Sequence, residues 1–282
     1  MKIQSAGRLG NQLYIFSHAL DLRINYKVEP VSIFVDRFHS EINEELLETF
    51  SLLSGQGIKL EINNHLGFVL RFIDKLNANV PQLSRFARRA LRIETEGVEK
   101  FTERAWIHRG FFQNDDFPEN VMTRMNEILL EIIENHFSHS GLMQRIPFLE
   151  SRYQAIHVRR TDFFSTEVGV IDPISQLVGL QDGLNVVICT DASRDEVLSM
   201  LDCENFEILT PNESSAWETL AILSRAENLV MTNSTLSFWA GFIASKAEKN
   251  VWAPNIWNRK VQEPRTLPYS HYNTYSPRFE GL

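Results

Sequence analysis

The run His157-Val158-Arg159-Arg160-Thr161-Asp162 sets two guanidinium groups between an imidazole and a carboxylate. Two forks that stay charged at any working pH suit an anion with several oxygens, a pyrophosphate above all. The plainer alternative is an ion-pair cluster in which Asp162 orients one arginine. The preceding Tyr153-Gln154-Ala155-Ile156 favours a short strand, so the arginines emerge at a strand's carboxyl end, where open α/β sheets bind ligands.

Two further stretches carry groups suited to the same anion. Thr232-Asn233-Ser234-Thr235-Leu236-Ser237 offers hydroxyls at Ser234, Thr235 and Ser237 beside the free N–H groups of a helix start. An ordinary N-cap explains one of these hydroxyls equally well. Gly7-Arg8-Leu9-Gly10-Asn11-Gln12 brackets a basic residue with glycines, a spacing that permits a tight turn and close backbone approach, with Asn11 and Gln12 as neutral donors. Alone, such a motif is weak. No D-x-D occurs in the sequence, so arginines and helix dipoles are expected to neutralise the anion without a cation. Asn114-Asp115-Asp116-Phe117 is an alternative metal ligand set, or an exposed acidic loop.

These residues need a scaffold. From residue 151 short apolar runs alternate with helical segments: Tyr153–Val158 as strand, Asn185–Thr190 as strand, a helix capped by Ser193 with Glu196 at capping-box spacing, Phe206–Leu209 as strand, a helix over 215–226, a strand over 228–232, a helix from about Leu236 to Ser245, and Val251–Pro254 as strand. The pattern predicts a parallel α/β sheet with Asp191 and Asn233 to Thr235 at strand ends on the side of the arginine pair. Residues before 150 are less regular, but Val31–Val35 reads as a strand and Asn126–Phe137 as an amphipathic helix, so a second α/β lobe is expected. The boundary is placed near Arg145 to Ser151, giving a lobe over 1–148, a lobe over 149–265, and a Pro- and Tyr-rich tail over 266–282 that packs across the surface.

The chain has 282 residues, a formal net charge of -8 and a sequence pI near 5.5, which argues against nucleic acid as a partner and makes any anion site local. Cys189 and Cys203 are expected to be incidental thiols. The polar residues at 7–12 break any signal-peptide core, and no apolar run is long enough to span a bilayer, so a cytoplasmic protein is expected. Arg85, Arg88, Arg89 and Arg92 fall at i, i+3, i+4 and i+7, one basic helical face that is either solvated or set against anionic lipid.

Taken together, the motifs resemble those of GDP-fucose-using fucosyltransferases. Gly7 to Leu20 resembles the amino-terminal G-x-x-G-N-Q motif of the α-1,2- and protein O-fucosyltransferases, His157 to Asp162 the H-x-R-R-x-D motif of the superfamily, and Asn233 to Ala244 the N-S-S-F-S-W-W segment of the α-1,2 enzymes (glycosyltransferase family 11). Gly110 to Asp115 is similar to the G-Y-x-Q element between them. Thr161, Leu236 and Phe238 depart from the α-1,2 pattern, and Phe163 to Glu167 after the arginine motif looks like the α-1,6 enzymes.

The resemblance implies a GT-B-like α/β fold of two Rossmann-like lobes with the donor site in the cleft, and an inverting, metal-independent transfer of fucose from GDP-fucose to a glycan acceptor, which is lipid-linked in one version. It implies no cofactor. Arg159 would contact the β-phosphate of departing GDP and Glu167 would be the base. His157, Arg160 and Asp162 would support the nucleotide or its loop. Asn233, Ser234 and Thr235 would hold phosphate oxygens, Asp191 guanine or ribose, and Gly10 and Asn11 would approach the donor from the amino-terminal lobe. An α-1,6 enzyme, another nucleotide-sugar transferase, or a non-catalytic GDP-sugar or glycan binder would share these features.

Overall fold

In a computed structural model of the chain the described residues are 1–5, 7–35, 44–95, 105–110, 112–113, 117–160, 170–173, 183–200, 206–260 and 264–279. They form two compact units, Met1–Ile128 and Leu129–Leu282. The join lies ahead of the expected 148/149 because Pro147 is local punctuation, whereas one continuous helix crosses residue 128.

In unit 1 five strands, β1 (Lys2–Gln4), β2 (Val31–Val35), β3 (Ile58–Ile62), β4 (Ile93–Thr95) and β5 (Ile107–Arg109), form a parallel sheet in the order β3-β2-β1-β5-β4. Parallel neighbours require crossovers, and α1 (Leu9–Ile24), α2 (Glu44–Leu52), α3 (Asn64–Asn79) and α4 (Pro81–Ala90) occupy the connections. All five residues of β2 are buried, as its nearly continuous apolar run, broken only by Ser32, suits a strand covered on both faces. Leu70 and Ile73 of α3 pack with Phe34, Ile93 and Ile107 of the sheet. The helix α5 (Glu119–His139) contains the expected amphipathic segment and crosses the join.

The basic helical face differs from expectation. Helix α4 ends at Ala90, and Arg92 lies beyond it with φ +49, off the helical repeat. Arg88 is turned toward α3, 3.5 Å from Asp74, so Arg85 and Arg89 alone of the four continue the outward face of the helix. The i, i+7 projection failed because the helix stops first.

Unit 2 follows the sequence reading closely. After α6 (Leu142–Arg145) and a 3-10 turn at Pro147–Glu150 come β6 (Tyr153–Val158), β7 (Asn185–Thr190), α7 (Arg194–Leu198), β8 (Phe206–Leu209), α8 (Ala216–Arg225), β9 (Asn228–Val230), α9 (Thr235–Lys246) and β10 (Asn250–Pro254). The tail contributes β11 (Asn273–Tyr275), and the parallel sheet runs β11-β10-β9-β6-β7-β8. Helix α9 is apolar nearly all round because it is buried nearly all round. Phe238, Trp239 and Phe242 are core, at most 1% exposed, and truncating any one costs roughly 3–5 kcal/mol. Gly241 lets the tail close on this helix, since a Cβ there would collide with Met231 and Tyr269. The Tyr269 hydroxyl donates to the Phe238 carbonyl at 2.6 Å and that of Tyr275 to the Met231 carbonyl. Cys189 in β7 is a free thiol whose complete burial pushes its pKa up to about 12; Cys203 lies outside the described residues.

Candidate functional site

The order of strands in unit 2 places the site. From β6 the chain moves to β7 and β8 on one side, then returns to lay β9, β10 and β11 on the other. Strand order therefore reverses between β6 and β9, and the crevice outside the carboxyl ends at such a reversal is where open α/β sheets bind ligands. Arg159 and Arg160 follow β6 directly, and Asn233 to Thr235 follow β9. The two motifs read from the sequence meet at this reversal.

The arginines are held from the β7 side. The β6–β7 register pairs His157 with Cys189 and Val158 with Thr190, so the next residues out, Arg159 and Asp191, face each other. The Asp191 carboxylate takes Nη1 of Arg159 at 2.9 Å with one oxygen and the backbone N–H of Arg160 at 2.7 Å with the other. These side chains are 13% and 7% exposed. Arg160 turns away, its Nε donating to Glu196 of α7 at 2.6 Å and Nη1 approaching the Met200 sulfur at 3.2 Å. One arginine thus faces the strand end while its neighbour pins the loop to α7. Ser193 caps α7 as expected, accepting from the Glu196 N–H, but the Glu196 carboxylate reaches Arg160. Asp162, Thr161 and Glu167 lie outside the described residues.

On the β9 side, Ser234 caps α9 by accepting from the Leu236 N–H at 3.3 Å. Thr235 is the first helical residue, and the Asn233 amide donates to the Trp257 carbonyl at 3.0 Å. Ser237 is fully buried, and its hydroxyl lies 2.6 Å from Nδ1 of His157 and 3.3 Å from the Thr232 N–H. It therefore ties β6 to α9, and the expectation that its hydroxyl meets an anion is corrected. One turn into the helix, the third hydroxyl of the motif points into the core. His157 is held neutral at physiological pH, its pKa lowered to about 4 first by desolvation and then by the Arg159 charge, with Asp191 opposing. A neutral imidazole there adds no charge to an anion site and works as a strut.

Unit 1 has a reversal of its own, with β2 and β3 on one side of β1 and β5 and β4 on the other. Here the two remaining motifs meet, since Gly7 to Asn11 follows β1 and Gly110 to Gln113 follows β5. The Gln113 amide donates to the Asn11 side-chain oxygen at 3.0 Å. Gly7 has φ +79, and a Cβ there would collide with Asn11. Gly10 is buried within the first turn of α1. The Leu9 N–H at the start of α1 donates to a carboxylate oxygen of Glu45 in α2 at 3.2 Å.

Beneath this contact is a pair that sequence reasoning missed. Nε2 of His18 in α1 lies 2.8 Å from Nδ1 of His108 in β5, and the His18 ring stacks on Phe112 at 4.1 Å. Phe112 adopts φ +52, costly for an aromatic residue, and the stack helps to hold it there. Burial, reinforced by His108, lowers the His18 pKa to about 3, so the His18 ring is uncharged. No local signal marks this pair, because the two histidines are far apart in sequence and share no motif.

The model of glycosyl transferase family 11 matches residues 73–267, well over half the chain. The chain belongs to glycosyl transferase family 11. No curated protein matches the family 11 chain in a direct sequence comparison. Among solved structures it is similar to the fucosyltransferase NodZ from Bradyrhizobium, with 15% identity over 86% of this chain and 92% of that one and a TM-score of 0.50. It is also similar to a family 9 glycosyl transferase from Veillonella parvula, with 10% identity over 98% and 85% of the two chains and a TM-score of 0.47. For E. coli heptosyltransferase WaaC the identity is 13% over 90% and 86%, with a TM-score of 0.42. The family 11 chain is thus a glycosyltransferase with two parallel α/β sheets of the GT-B class. Among its described residues no helix is long and apolar enough to cross a membrane.

Proposed function

We propose that the chain is an inverting fucosyltransferase that uses GDP-fucose and delivers fucose to a glycan hydroxyl, α-1,2 to a terminal galactose, without a metal cofactor. Unit 2 binds the donor and unit 1 serves the acceptor side. The observation that carries the reading is the Arg159 fork held by Asp191 at the β6–β9 reversal, beside the start of α9. As the acceptor oxygen bonds to the anomeric carbon, the bond from that carbon to the β-phosphate oxygen breaks, and negative charge grows on GDP. A preoriented guanidinium and a helix start meet that charge where it develops. His157 and Arg160 brace the loop, and Asn233, Ser234 and Thr235 border the phosphate side. Asp191 orients Arg159, and its role at guanine or ribose rests on the family resemblance. For Gly10 and Asn11 the donor role rests on the family motif.

The acceptor proton passes to Glu167, with Asp162 the alternative base. Glu167→Gln preserves size and hydrogen bonding but cannot accept the proton, so turnover should fall roughly 100-fold with GDP affinity unchanged. A variant that keeps most of its rate removes Glu167 from this role.

The direct test is incubation with GDP-fucose and a panel of galactose-terminated oligosaccharides, with the product linkage determined by NMR. Transfer is expected to persist in EDTA. Loss in EDTA with recovery in manganese or magnesium would show a required cation and direct attention to Asp115 and Asp116. An α-1,6 product would fit the Phe163 to Glu167 segment instead, and GDP affinity without turnover would mark a binding protein. The reading includes a lipid-linked acceptor and a cytoplasmic protein that works at the inner membrane face.

A further inference from the structure

Most large apolar side chains of this protein are buried, but an unusual share of the exposed ones is concentrated in one helical hairpin. Helices α3 and α4 are joined by the single residue Val80. Phe68 is 62% exposed, Phe72 55%, Leu83 49% and Phe86 69%. On α3, Phe68 and Phe72 are one turn apart and opposite the face on which Leu70 and Ile73 enter the core. On α4, Leu83 and Phe86 are one turn apart, while Ser84 and Ala87 face inward. Helix α3 thus has an apolar inner face, α4 packs inward through Ser84 and Ala87, and both carry an outward apolar stripe that folding leaves in water.

Charge accompanies the stripe. Residues 64–92 carry Arg71, Lys75, Arg85, Arg88, Arg89 and Arg92 against a single acid, Asp74, in a chain of net charge -8. Asp74 is already engaged, gripping Arg109 of β5 through both oxygens at 2.9 and 3.0 Å. Arg109 also donates to Gln4 of β1 at 2.7 Å, so the hairpin is tied to two strands of the sheet. Lys75, Arg85 and Arg89 are exposed, and among the described residues no carboxylate pairs with them. At Lys75 and Phe68, seven residues apart on α3, a cation and an aromatic ring share the outer face.

We propose that the outer face of the α3–α4 hairpin is a lipid-docking surface, with Phe68, Phe72, Leu83 and Phe86 entering the headgroup and acyl boundary of an anionic bilayer while Lys75, Arg85 and Arg89 meet lipid phosphates. This deepens the peripheral placement given above by assigning it to apolar insertion as well as to arginines. Exposed phenylalanines flanked by cations are what an interfacial helix presents, and the cations favour anionic headgroups. A symmetric dimer through the same face would bring its arginines against their own copies, which like-charge repulsion opposes. A bilayer also satisfies both components at once, because its phosphates lie directly above its hydrocarbon.

The test is flotation of the purified chain with vesicles of phosphatidylcholine alone and with about one-third phosphatidylglycerol, in low salt and high salt. The chain should float with the anionic vesicles and much less with the neutral ones. Combined Phe68→Ala, Phe72→Ala and Phe86→Ala should weaken partitioning roughly tenfold or more in either salt. Combined Arg85→Glu and Arg89→Glu should abolish the preference for phosphatidylglycerol and most of the salt dependence. All these positions are exposed, so circular dichroism and thermal melting should match the parent and confirm folding. Failure of the parent to float, or equal flotation of the variants, would overturn the proposal. So would a concentration-dependent dimer that the phenylalanine variants disperse, which would assign the face to self-association. No sugar substrate enters the assay, and transfer to a soluble oligosaccharide is measured separately, so failure here is distinguishable from failure of the fucosyltransferase reading.

Discussion

Replacing Arg159 with alanine is expected to lower fucosyl transfer roughly 1,000-fold, because a charge-assisted contact to the departing diphosphate is lost where the transition state needs it. The ion pair with Asp191 at 2.9 Å means that alanine also leaves a buried carboxylate without its cation, so the informative comparison is Arg159→Lys. Lysine keeps a positive charge for Asp191 but cannot reproduce the planar fork. If Arg159 works on the leaving group, the lysine variant melts near the parent temperature yet stays orders of magnitude slow. If Arg159 only holds the fold, lysine restores stability and turnover together, and the assignment fails. Initial rates with GDP-fucose, measured alongside thermal melts, separate the outcomes.

The second large effect concerns stability. Asp191→Ala removes the carboxylate that accepts both the Arg159 side chain and the Arg160 N–H, leaving a charge only 13% exposed without this counter-charge. Breaking a buried pair from one side costs about 3–5 kcal/mol, so the unfolding midpoint of unit 2 should fall clearly. Asp191→Asn can still accept from the Arg160 N–H and should lose less stability, while turnover drops because Arg159 is no longer oriented by charge. Denaturant unfolding followed by Trp fluorescence tests this, since Trp217 and Trp239 are fully buried in unit 2. An Asp191→Ala variant as stable as the parent would show that the pair contributes nothing there.

How legible the site was in the sequence depended on distance along the chain. Strands β6 and β7 and helix α9 were read from local residue type, since β-branched runs and a Ser cap carry that information within a few residues. Asp191 was placed at a strand end, but its partnership with Arg159 went unread, because that pairing is set by the β6–β7 register, which no local pattern states. Ser237 was grouped with Ser234 by chemistry, yet helical geometry turns it inward onto His157. The His18–His108 pair needed the β1–β5 reversal to bring it together. The exposed phenylalanines went unread for the opposite reason. An apolar residue at helical spacing looks like core until the fold shows which side faces the sheet.

The reversal that places the arginines at the centre of the unit 2 sheet also dictates an order of assembly during synthesis. Strand β6 is finished at residue 158 but gains its first partner only with β7 at 185, and its other edge stays open until β9 is made at 228. Throughout that interval a strand that is fully buried in the finished fold presents unpaired N–H and C=O groups, the kind of edge that recruits foreign strands. A nascent chain stalled before residue 228 would carry the arginine pair on such an edge. His157 would also lack Ser237, and α9 would not yet exist to cover it. The feature that creates a ligand crevice in the finished protein therefore creates an aggregation hazard in the growing one, and the strand at greatest risk is the one that bears the site.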